Sequence, residues 1–428
     1  MHTAPTMSPP KSTGPSKIRK ILLLYSGGLD TSCLIKWLQE HYEAEIATLT
    51  VDLGQGGLEA ARAKAHQLGV QEAFIVDARE EFAQNYIAPL IKANGLYQDQ
   101  YPLSTAVARP LIAKLAVEYA HKINADAVAH GCTGKGNDQV RFDISIQALD
   151  PALRVLAPVR EWNMTRDAEI AYAKKHGIPV PVDVDSPYST DENMWGRSIE
   201  CGVLEHPDQE PPPEIFSYAT PPEQAPERPA YVELTFEEGL PVALDGKRLN
   251  LVDLILKLNE IAGRHGVGII DMTEDRVVGL KSREIYECPA AVTILTAHRD
   301  LERFCCTIHE NEFKPLIDRK WAELVYKGLW YDPLMEALNA YINKVNERVT
   351  GTVRLKLYKG HVQVVGRQSP NGLYDLNLAT YDAHHTFNQM AAPGFIEIWG
   401  LPTRVAHRVR KTLTPTLSLE GRGRPKAG

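Results

Sequence analysis

The strongest constraint on the fold is the regular alternation of short apolar runs with helical patterns between residues 18 and 129. Residues 21–25 form a continuous apolar run (ILLLY) of the kind found in strands that are buried on both faces. Further strands are predicted at 46–51, 73–76 and 127–129, and helices at 31–40, 58–68, 82–90 and 111–122. Strands that alternate with helices predict βαβ units, so we expect an α/β domain with a parallel sheet.

The second half of the chain has a different pattern. Eight of the 29 prolines lie between Pro207 and Pro229, which predicts an extended segment that crosses between domains. Beyond it we predict strands at 231–236 and 241–243, helices at 251–261, 316–328 and 333–348, and a hairpin of 353–358 with 361–365 that turns at Lys359–Gly360. The βαβ alternation is missing here, and an α+β domain is therefore expected.

Composition narrows the function classes and the compartment. The formal net charge of −7 argues against a nucleic-acid partner, because such proteins present basic surfaces to phosphate. Six scattered cysteines without a Cys-x-x-Cys pair predict no disulfide framework, no protein-bound metal and a reducing compartment. Residues 1–17 resemble neither a secretory signal nor a transit peptide, and no run approaches the roughly 18 apolar residues of a membrane helix. We expect a cytoplasmic protein without a membrane partner.

A glycine turn follows the first predicted strand, in the string SGGLDTS at 26–32. Two adjacent glycines allow a tight turn whose N–H groups point at one anion, and the helix that follows adds the positive end of its dipole. Asp30 would repel phosphate unless Mg²⁺ bridges the two, so we expect Mg²⁺ bound through ATP phosphates. The alternative is a plain turn with Asp30 or Thr31 as helix N-cap. No GxxxxGK[ST] string is present, which excludes a Walker A loop.

A second polar loop, HGCTGKGNDQVRF at 130–142, follows the strand predicted at 127–129. Backbone donors are expected from three glycines, Gly131, Gly134 and Gly136, and Lys135 supplies a cation for phosphate or carboxylate. Four further polar residues are too dense for a core, namely Thr133, Asn137, Asp138 and Arg141. The alternative is a solvated connecting loop, which often carries Gly, Asn and Asp. Both loops follow strands, where ligands of parallel sheets bind.

These two segments together resemble the argininosuccinate synthase family of PP-loop (N-type) ATP pyrophosphatases, and the similarity extends from about residue 18 to about residue 401. Further similar stretches are YPLSTAVARP at 101–110, PYSTDEN at 187–193, 266–289 and ELVYKGLWYDP at 323–333. The resemblance implies an adenine nucleotide alpha hydrolase-like parallel-sheet domain, followed by an α+β synthetase domain. The implied division is a disordered extension at 1–17, an ATP-binding domain at 18–182, a citrulline- and aspartate-binding domain at 183–400, and a C-terminal helix with a disordered tail at 401–428.

The resemblance also implies the substrates and their residues. ATP would contact Leu24, Tyr25, Ser26, Gly27, Gly28, Leu29, Asp30, Thr31, Ser32, Val51 and Gly131. Citrulline would contact Tyr101, Asn137, Arg141, Ser189, Ser198, Glu274 and Tyr286. Aspartate would contact Thr105, Thr133, Asn137 and Asp138, and catalytic roles would fall to Asp30, Lys135 and Asp138. A homotetramer and a place in arginine biosynthesis are implied as well.

The residues disfavour the alternatives to this function. A tRNA thiolase needs reactive cysteines and a basic surface, and an amide-forming synthetase usually carries a glutaminase; neither feature is visible. A non-catalytic nucleotide-binding regulator is disfavoured because four residues are all present, namely Asp30, Lys135, Asp138 and Arg141. For Glu274, the sequence alone predicts a solvated surface charge rather than a ligand.

Overall fold

The computed structural model describes residues 17–162, 166–179, 187–382 and 384–413. The chain divides into two compact units, the first ending at Gly372 and the second beginning at Leu373. The extension predicted at 1–17 and the tail predicted at 412–428 lie almost entirely outside the described residues.

A five-stranded parallel sheet forms the first part of the larger unit. Its strands are β1 (Lys20–Leu24), β2 (Glu45–Asp52), β3 (Ala73–Asp77), β4 (Ala127–Ala129) and β5 (Arg154–Leu156), in the order β3-β2-β1-β4-β5. The parallel sheet and the four predicted strands are confirmed. β5 was not predicted, because three residues that begin with an exposed arginine carry too little apolar pattern.

Helices cover both faces of this sheet. They are α1 (Leu29–Tyr42), α2 (Leu58–Gln67), α3 (Arg79–Phe82), α4 (Ala88–Lys92), α5 (Arg109–Lys122), α6 (Asp138–Leu149), α7 (Val159–Trp162) and α8 (Arg166–Lys175), with one π-helical turn at Ala83–Ile87 joining α3 to α4. Alternate residues of β1 face opposite cores: Ile21 belongs to the cluster that contains α1, and Leu22 to the one that contains α5. Burial on both faces explains the uninterrupted apolar sequence of β1 after its first residue, Lys20.

Two antiparallel sheets form the rest of the larger unit. Their strands are β6 (Ser189–Asn193), β7 (Gly196–Glu200), β8 (Ala230–Glu237), β9 (Leu240–Leu244), β10 (Lys247–Arg248), β11 (Ile269–Asp275), β12 (Lys281–Glu287), β13 (Gly351–Tyr358) and β14 (His361–Gln368). One sheet has the order β10-β9-β8-β13-β14 and the other β11-β12-β7-β6. The predicted hairpin is confirmed, with positive φ at both turn residues, Lys359 and Gly360. The four-stranded sheet was missed by the sequence interpretation.

Four long helices pack with these sheets: α9 (Leu251–Arg264), α10 (Pro289–Cys305), α11 (Ile308–Tyr326) and α12 (Pro333–Asn346). α11 begins eight residues before the predicted start, because Thr307 and Glu310 form a capping box and Pro315 is accommodated within the helix. In the proline-rich segment, three successive backbone N–H groups, those of residues 217–219, donate to the buried carboxylate of Glu287. These bonds fix the segment against β12.

In its described residues, the smaller unit forms the α-helices α13 (Leu376–Ala379), α14 (Ala392–Trp399) and α15 (Leu401–Leu413), the last where a C-terminal helix was expected. Many of its large apolar side chains are exposed, among them Tyr381, Met390, Ile398 and Trp399. Among all the helices that the structure describes, none is both long enough and apolar enough to cross a membrane.

Candidate active site

Two loops meet at the carboxyl edge of the parallel sheet. Residues 25–28 connect β1 to α1, and residues 130–137 connect β4 to α6. The loops are neighbours because β1 and β4 are paired strands in the middle of the sheet. A Cβ added to Gly131 would lie 3.2 Å from the Thr31 methyl carbon, which places the second loop beside the first turn of α1. The two glycine-rich segments thus lie together at the carboxyl edge of the sheet, as the sequence predicted.

Glycine is required at the first of the two adjacent positions in the turn. Gly27 has φ +81°, and a Cβ there would lie 2.6 Å from Cβ of Ala61 on α2. Its carbonyl accepts a hydrogen bond from Lys64 Nζ at 2.9 Å. The turn is therefore pressed against α2, and its shape depends on the missing side chain.

Hydroxyl groups hold the turn from the other side. Ser32 Oγ lies 2.6 Å from the Gly28 carbonyl and 3.0 Å from the Tyr25 hydroxyl. The N-cap interpretation of Asp30 or Thr31 is wrong, because α1 begins at Leu29 and Gly28 occupies the cap without a side-chain bond. The first N–H groups of α1 consequently lack a side-chain cap, which suits an anion at this end of the helix.

Gly27→Ala should lower the free energy of unfolding by about 2–4 kcal/mol, from left-handed strain plus overpacking against Ala61. Gly56→Ala is the matched control, because nothing lies within 4 Å of its added Cβ. Urea unfolding of both variants measures the difference. Equal midpoints for the two variants would contradict the tight approach of the turn to α2.

A cluster of charges lies at the start of α6. Asp138 binds Arg109 Nη2 at 2.7 Å and Arg141 Nη1 at 2.8 Å, and Arg109 also binds Asp191 of β6. Burial would raise the pKa of Asp138, but the two guanidinium groups outweigh it and hold this pKa well below its usual range. Burial, together with the nearby Asp138 carboxylate, raises the pKa of Asp191 despite Arg109. The two carboxylates that share Arg109 therefore differ in proton affinity.

One face of the four-stranded sheet carries four of the seven predicted citrulline residues. Tyr286 of β12 is paired with Ser198 of β7, and Ser198 is paired in turn with Asp191 of β6. Glu274 and Ser189 lie an even number of residues from positions in this row, so the strand alternation places their side chains on the same face. Ser198, Glu274 and Tyr286 are buried or half-buried, and Ser189 is exposed at the start of β6.

Glu274 is buried rather than solvated. Only 2% of the residue is exposed, and its two carboxylate oxygens accept hydrogen bonds from Tyr286 at 2.7 Å and Tyr326 at 2.5 Å. The expectation of a surface charge is therefore wrong, because aromatic side chains enclose this end of β11. Burial, with the Glu274 charge beside them, raises the pKa of both tyrosines, so both remain O–H donors.

Tyr101 packs against the tyrosines that enclose Glu274. Its ring stacks on Tyr286 with centroids 4.0 Å apart, and its oxygen lies 2.9 Å from the Thr105 hydroxyl. The Thr105 backbone N–H also donates to this oxygen, at 3.0 Å. Burial raises the pKa of Tyr101 to about 12. Tyr101, which was predicted to contact citrulline, is therefore hydrogen-bonded to Thr105, which was predicted to contact aspartate.

Asn137 and Arg141 are core residues, although their density of polar neighbours had suggested otherwise. Asn137 Nδ2 donates to the Tyr326 hydroxyl at 2.8 Å, and Arg141 Nε donates to the Tyr326 carbonyl at 2.9 Å. The Arg141 guanidinium also lies over the Tyr326 ring, 4.8 Å from its centroid. Hydrogen bonds to Nε and Nη1 of Arg141 and to the Asn137 amide permit their burial. Helix α6 is thereby attached to the end of α11.

The remaining predicted residues lie around this centre. Leu24 and Val51 are buried at the carboxyl ends of β1 and β2, where only their backbone can face a ligand. Thr133 and Lys135 are exposed on the loop before α6, and Asp30 is exposed in the first turn of α1. No group of three or more His, Cys, Asp or Glu side chains in the described ranges is arranged to hold a metal ion.

Three side chains of the site were missed by the sequence interpretation: Arg109, Asp191 and Tyr326. Each lies in a stretch that resembles the family, at 101–110, 187–193 or 323–333, and that placement was the only available signal. The ion pair of Arg109 with Asp191 joins residues 82 positions apart, a separation that no local pattern reveals.

Comparison with known proteins agrees with this geometry. The family model described as the arginosuccinate synthase N-terminal HUP domain matches residues 20–179, and the one for the arginosuccinate synthase C-terminal domain matches residues 188–406. Proteins named argininosuccinate synthase are similar over most of their length: 57% identity for that of Rubrobacter xylanophilus (90% of this chain, 94% of the relative), and 54% for that of Bacillus pumilus (92% and 98%). The relative from Oceanobacillus iheyensis is also 54% identical (90% and 93%). With two family models and close relatives in agreement, the chain belongs to the argininosuccinate synthase family.

Proposed function

We propose that this chain joins L-citrulline to L-aspartate with ATP, forming argininosuccinate, AMP and diphosphate, as a ligase of arginine biosynthesis. The observation that carries the proposal is the convergence of three features: the glycine turn, the charged start of α6, and the sheet face with Glu274 and Tyr286. They provide an anion site, a carboxylate site and a buried anion for an ammonium group, within one unit of the chain. The proposed division places ATP with residues 18–182 and the amino acids largely with residues 183–400.

The first step is adenylation. The ureido oxygen of citrulline attacks the α-phosphorus of ATP, the bond between the α-phosphorus and the α–β bridging oxygen breaks, and diphosphate leaves as citrullyl-AMP forms. The N-terminus of α1 and the Gly27–Gly28 turn hold the phosphates. The exposed Asp30 carboxylate in the first turn of α1 is a suitable ligand for Mg²⁺ that arrives with ATP. When bound, Mg²⁺ neutralises phosphate charge.

Citrulline is oriented by the sheet face. The buried Glu274 carboxylate pairs with the α-ammonium group, and the hydroxyls of Ser189, Ser198 and Tyr286 serve its remaining polar atoms. Arg141 was expected to clamp a carboxylate in bidentate fashion, but its Nε and Nη1 are already engaged by Tyr326 and Asp138. We therefore propose that the citrulline carboxylate binds to the one edge of this guanidinium that remains.

In the second step, the α-amine of aspartate attacks the ureido carbon, and AMP leaves with the former ureido oxygen. Thr133, Asn137 and the backbone before α6 hold the aspartate, with Lys135 balancing its negative charge. Asp138 binds the aspartate ammonium group, which loses a proton to solvent before the free amine attacks. The two guanidinium groups that hold the pKa of Asp138 well below its usual range make this carboxylate a weak base.

We further propose a cytoplasmic homotetramer assembled through the smaller unit. All six cysteines lie in the described residues and none forms a disulfide, which is compatible with a reducing compartment. The exposed apolar side chains of the smaller unit, such as Tyr381, Ile398 and Trp399, are of the kind that subunit contacts bury.

Removing residues 373–428 should convert the tetramer to smaller species, because those apolar side chains are lost with them. Light scattering should give a mass near four 47.6 kDa chains for the full protein and a clearly smaller multiple for the shortened one. A chain ending at Leu413 is the control and should stay tetrameric. A full-length monomer, or a tetramer unaffected by the larger deletion, would rule out this assembly.

The proposed reaction is tested by incubating purified protein with ATP, Mg²⁺, citrulline and aspartate. AMP and diphosphate should form in equal amounts, and sustained turnover should require both citrulline and aspartate. Formation of ADP, or AMP formation indifferent to citrulline, would refute the assignment.

A further inference from the structure

The tip of the β11–β12 hairpin reaches out of the citrulline face toward the loop before α6. Residues 276–280 form this tip, which is closed by a hydrogen bond from the Arg276 N–H to the Leu280 carbonyl at 2.8 Å. The Gly279 N–H donates back to the Arg276 carbonyl at 2.9 Å. These hydrogen bonds give the tip a defined shape, so a side chain on the tip can fix the position of a segment that it contacts.

Arg276 connects the sheet face to the loop. Its Nη2 binds Glu284 Oε1 at 2.5 Å and also binds Glu200, while Nη1 donates to the Lys135 carbonyl at 3.2 Å. The Arg276 side chain is only 13% exposed, and that of Glu284 only 8%. Glu200 and Glu284 lie on the same sheet face as Glu274, by strand alternation. One guanidinium therefore joins two carboxylates of the citrulline face to the backbone of the loop.

A second bond from the same tip holds the loop two residues further on. The Val277 N–H donates to Asn137 Oδ1 at 2.8 Å. Lys135 and Asn137 are thus both attached to the hairpin tip, at the segment that leads into α6. This segment carries the residues to which the proposed function assigns aspartate.

We propose that Arg276 is a positioning residue that sets the separation between the loop at 130–137 and the citrulline face, and that it acts mainly on the attack by aspartate. This inference rests on the proposed function. The glycine turn does not depend on Arg276, because Lys64, Ser32 and the packing of Gly27 on Ala61 hold it. The citrulline face is held by its own strand pairing. Gln139 and Tyr326 also support the loop, through the Gly134 and Gly136 carbonyls and Asn137, but at Lys135 it is the guanidinium that joins the loop to the citrulline face.

Arg276→Lys separates the positional role from simple charge balance. Lysine keeps a positive charge near Glu200 and Glu284, but its single ammonium cannot span two carboxylates and a carbonyl as the planar guanidinium does. We expect kcat/KM for aspartate to fall about 30-fold, the scale of effect that a small misplacement of reacting groups produces. The thermal midpoint should stay close to that of the unaltered protein.

Adenylation is measured separately, in the absence of aspartate. The readout is the citrulline-dependent exchange of ¹⁸O between the bridging and non-bridging β-phosphate positions of ATP. In Arg276→Lys this exchange should stay within about threefold of the unaltered protein, because the turn and the citrulline face keep their own supports. Lys281→Met is the matched control. It removes a cation from the same hairpin that pairs only with the exposed Asp275, and it should leave both readouts unchanged.

Unaltered aspartate kinetics in Arg276→Lys would overturn the inference, as would a loss of isotope exchange as large as the loss of aspartate turnover. Arg276→Met with Glu284→Gln, which avoids leaving that buried carboxylate unpaired, should reproduce the aspartate defect. Normal aspartate kinetics in this double variant would likewise overturn it. Absence of citrulline-dependent exchange in the unaltered protein would instead defeat the proposed function itself.

Discussion

Glu274→Gln should raise the KM for citrulline about 100-fold or more while leaving the KM values for ATP and aspartate within about threefold. Loss of one partner from a buried, hydrogen-bonded charge pair typically weakens binding by about 2–5 kcal/mol, and about 1.4 kcal/mol corresponds to tenfold. Glu274 is almost fully buried and receives hydrogen bonds from Tyr286 and Tyr326. Glutamine keeps the shape and an acceptor oxygen, so the change mainly removes charge.

The control for Glu274→Gln is Asp271→Asn on the same strand. Asp271 is on the opposite face of β11, where it is exposed and pairs with Arg283. Steady-state kinetics with each substrate varied in turn should show no citrulline effect for this variant. Equal KM values for citrulline in Glu274→Gln and the unaltered protein would remove Glu274 from the proposed citrulline site.

Asp30→Ala should lower kcat by about 1,000-fold or more, equivalent to about 4 kcal/mol of transition-state stabilisation. The carboxylate is proposed to hold Mg²⁺ against the ATP phosphates, and alanine offers no oxygen to the ion. The structural cost should be small, since an acidic residue in the first helical turn contributes about 0.3–1 kcal/mol. The loss should therefore appear in turnover and not in the thermal midpoint.

Glu40→Gln is a suitable control for Asp30→Ala, because it removes an exposed carboxylate near the other end of α1. It should retain full turnover. Raising the Mg²⁺ concentration should restore part of the activity of Asp30→Ala only if some binding of Mg-ATP persists. Survival of normal kcat in Asp30→Ala would show that the bridging role is wrong.

The parallel sheet was predictable because its central strands, β2, β1 and β4, are mostly buried on both faces. β4 and residues 21–24 of β1 are apolar, and each strand is followed by a glycine-containing loop, so the place of the nucleotide loops followed from local pattern alone. The four-stranded sheet was not predictable in this way. β6 reads STDEN and β7 reads GRSIE, because their inward positions carry polar groups of the site instead of core residues.

The site itself was only partly predictable. The family resemblance proposed Glu274 as a ligand, while the residue alone predicted a solvated charge, since burial by Tyr286 and Tyr326 depends on contacts across 12 and 52 positions. Arg109 and Asp191 were missed for the same reason. Their pairing requires α5 and β6 to meet, and tertiary contacts of that range leave no periodic signal in the sequence.

The most direct test of the account is the fate of the ureido oxygen of citrulline. With citrulline labelled by ¹⁸O at that atom, the proposed attack on the α-phosphorus predicts one labelled oxygen in each molecule of AMP and none in diphosphate. Mass spectrometry of the products after a single turnover measures both. Unlabelled AMP, or label in the diphosphate, would contradict the adenylate intermediate and with it the central claim about this chain.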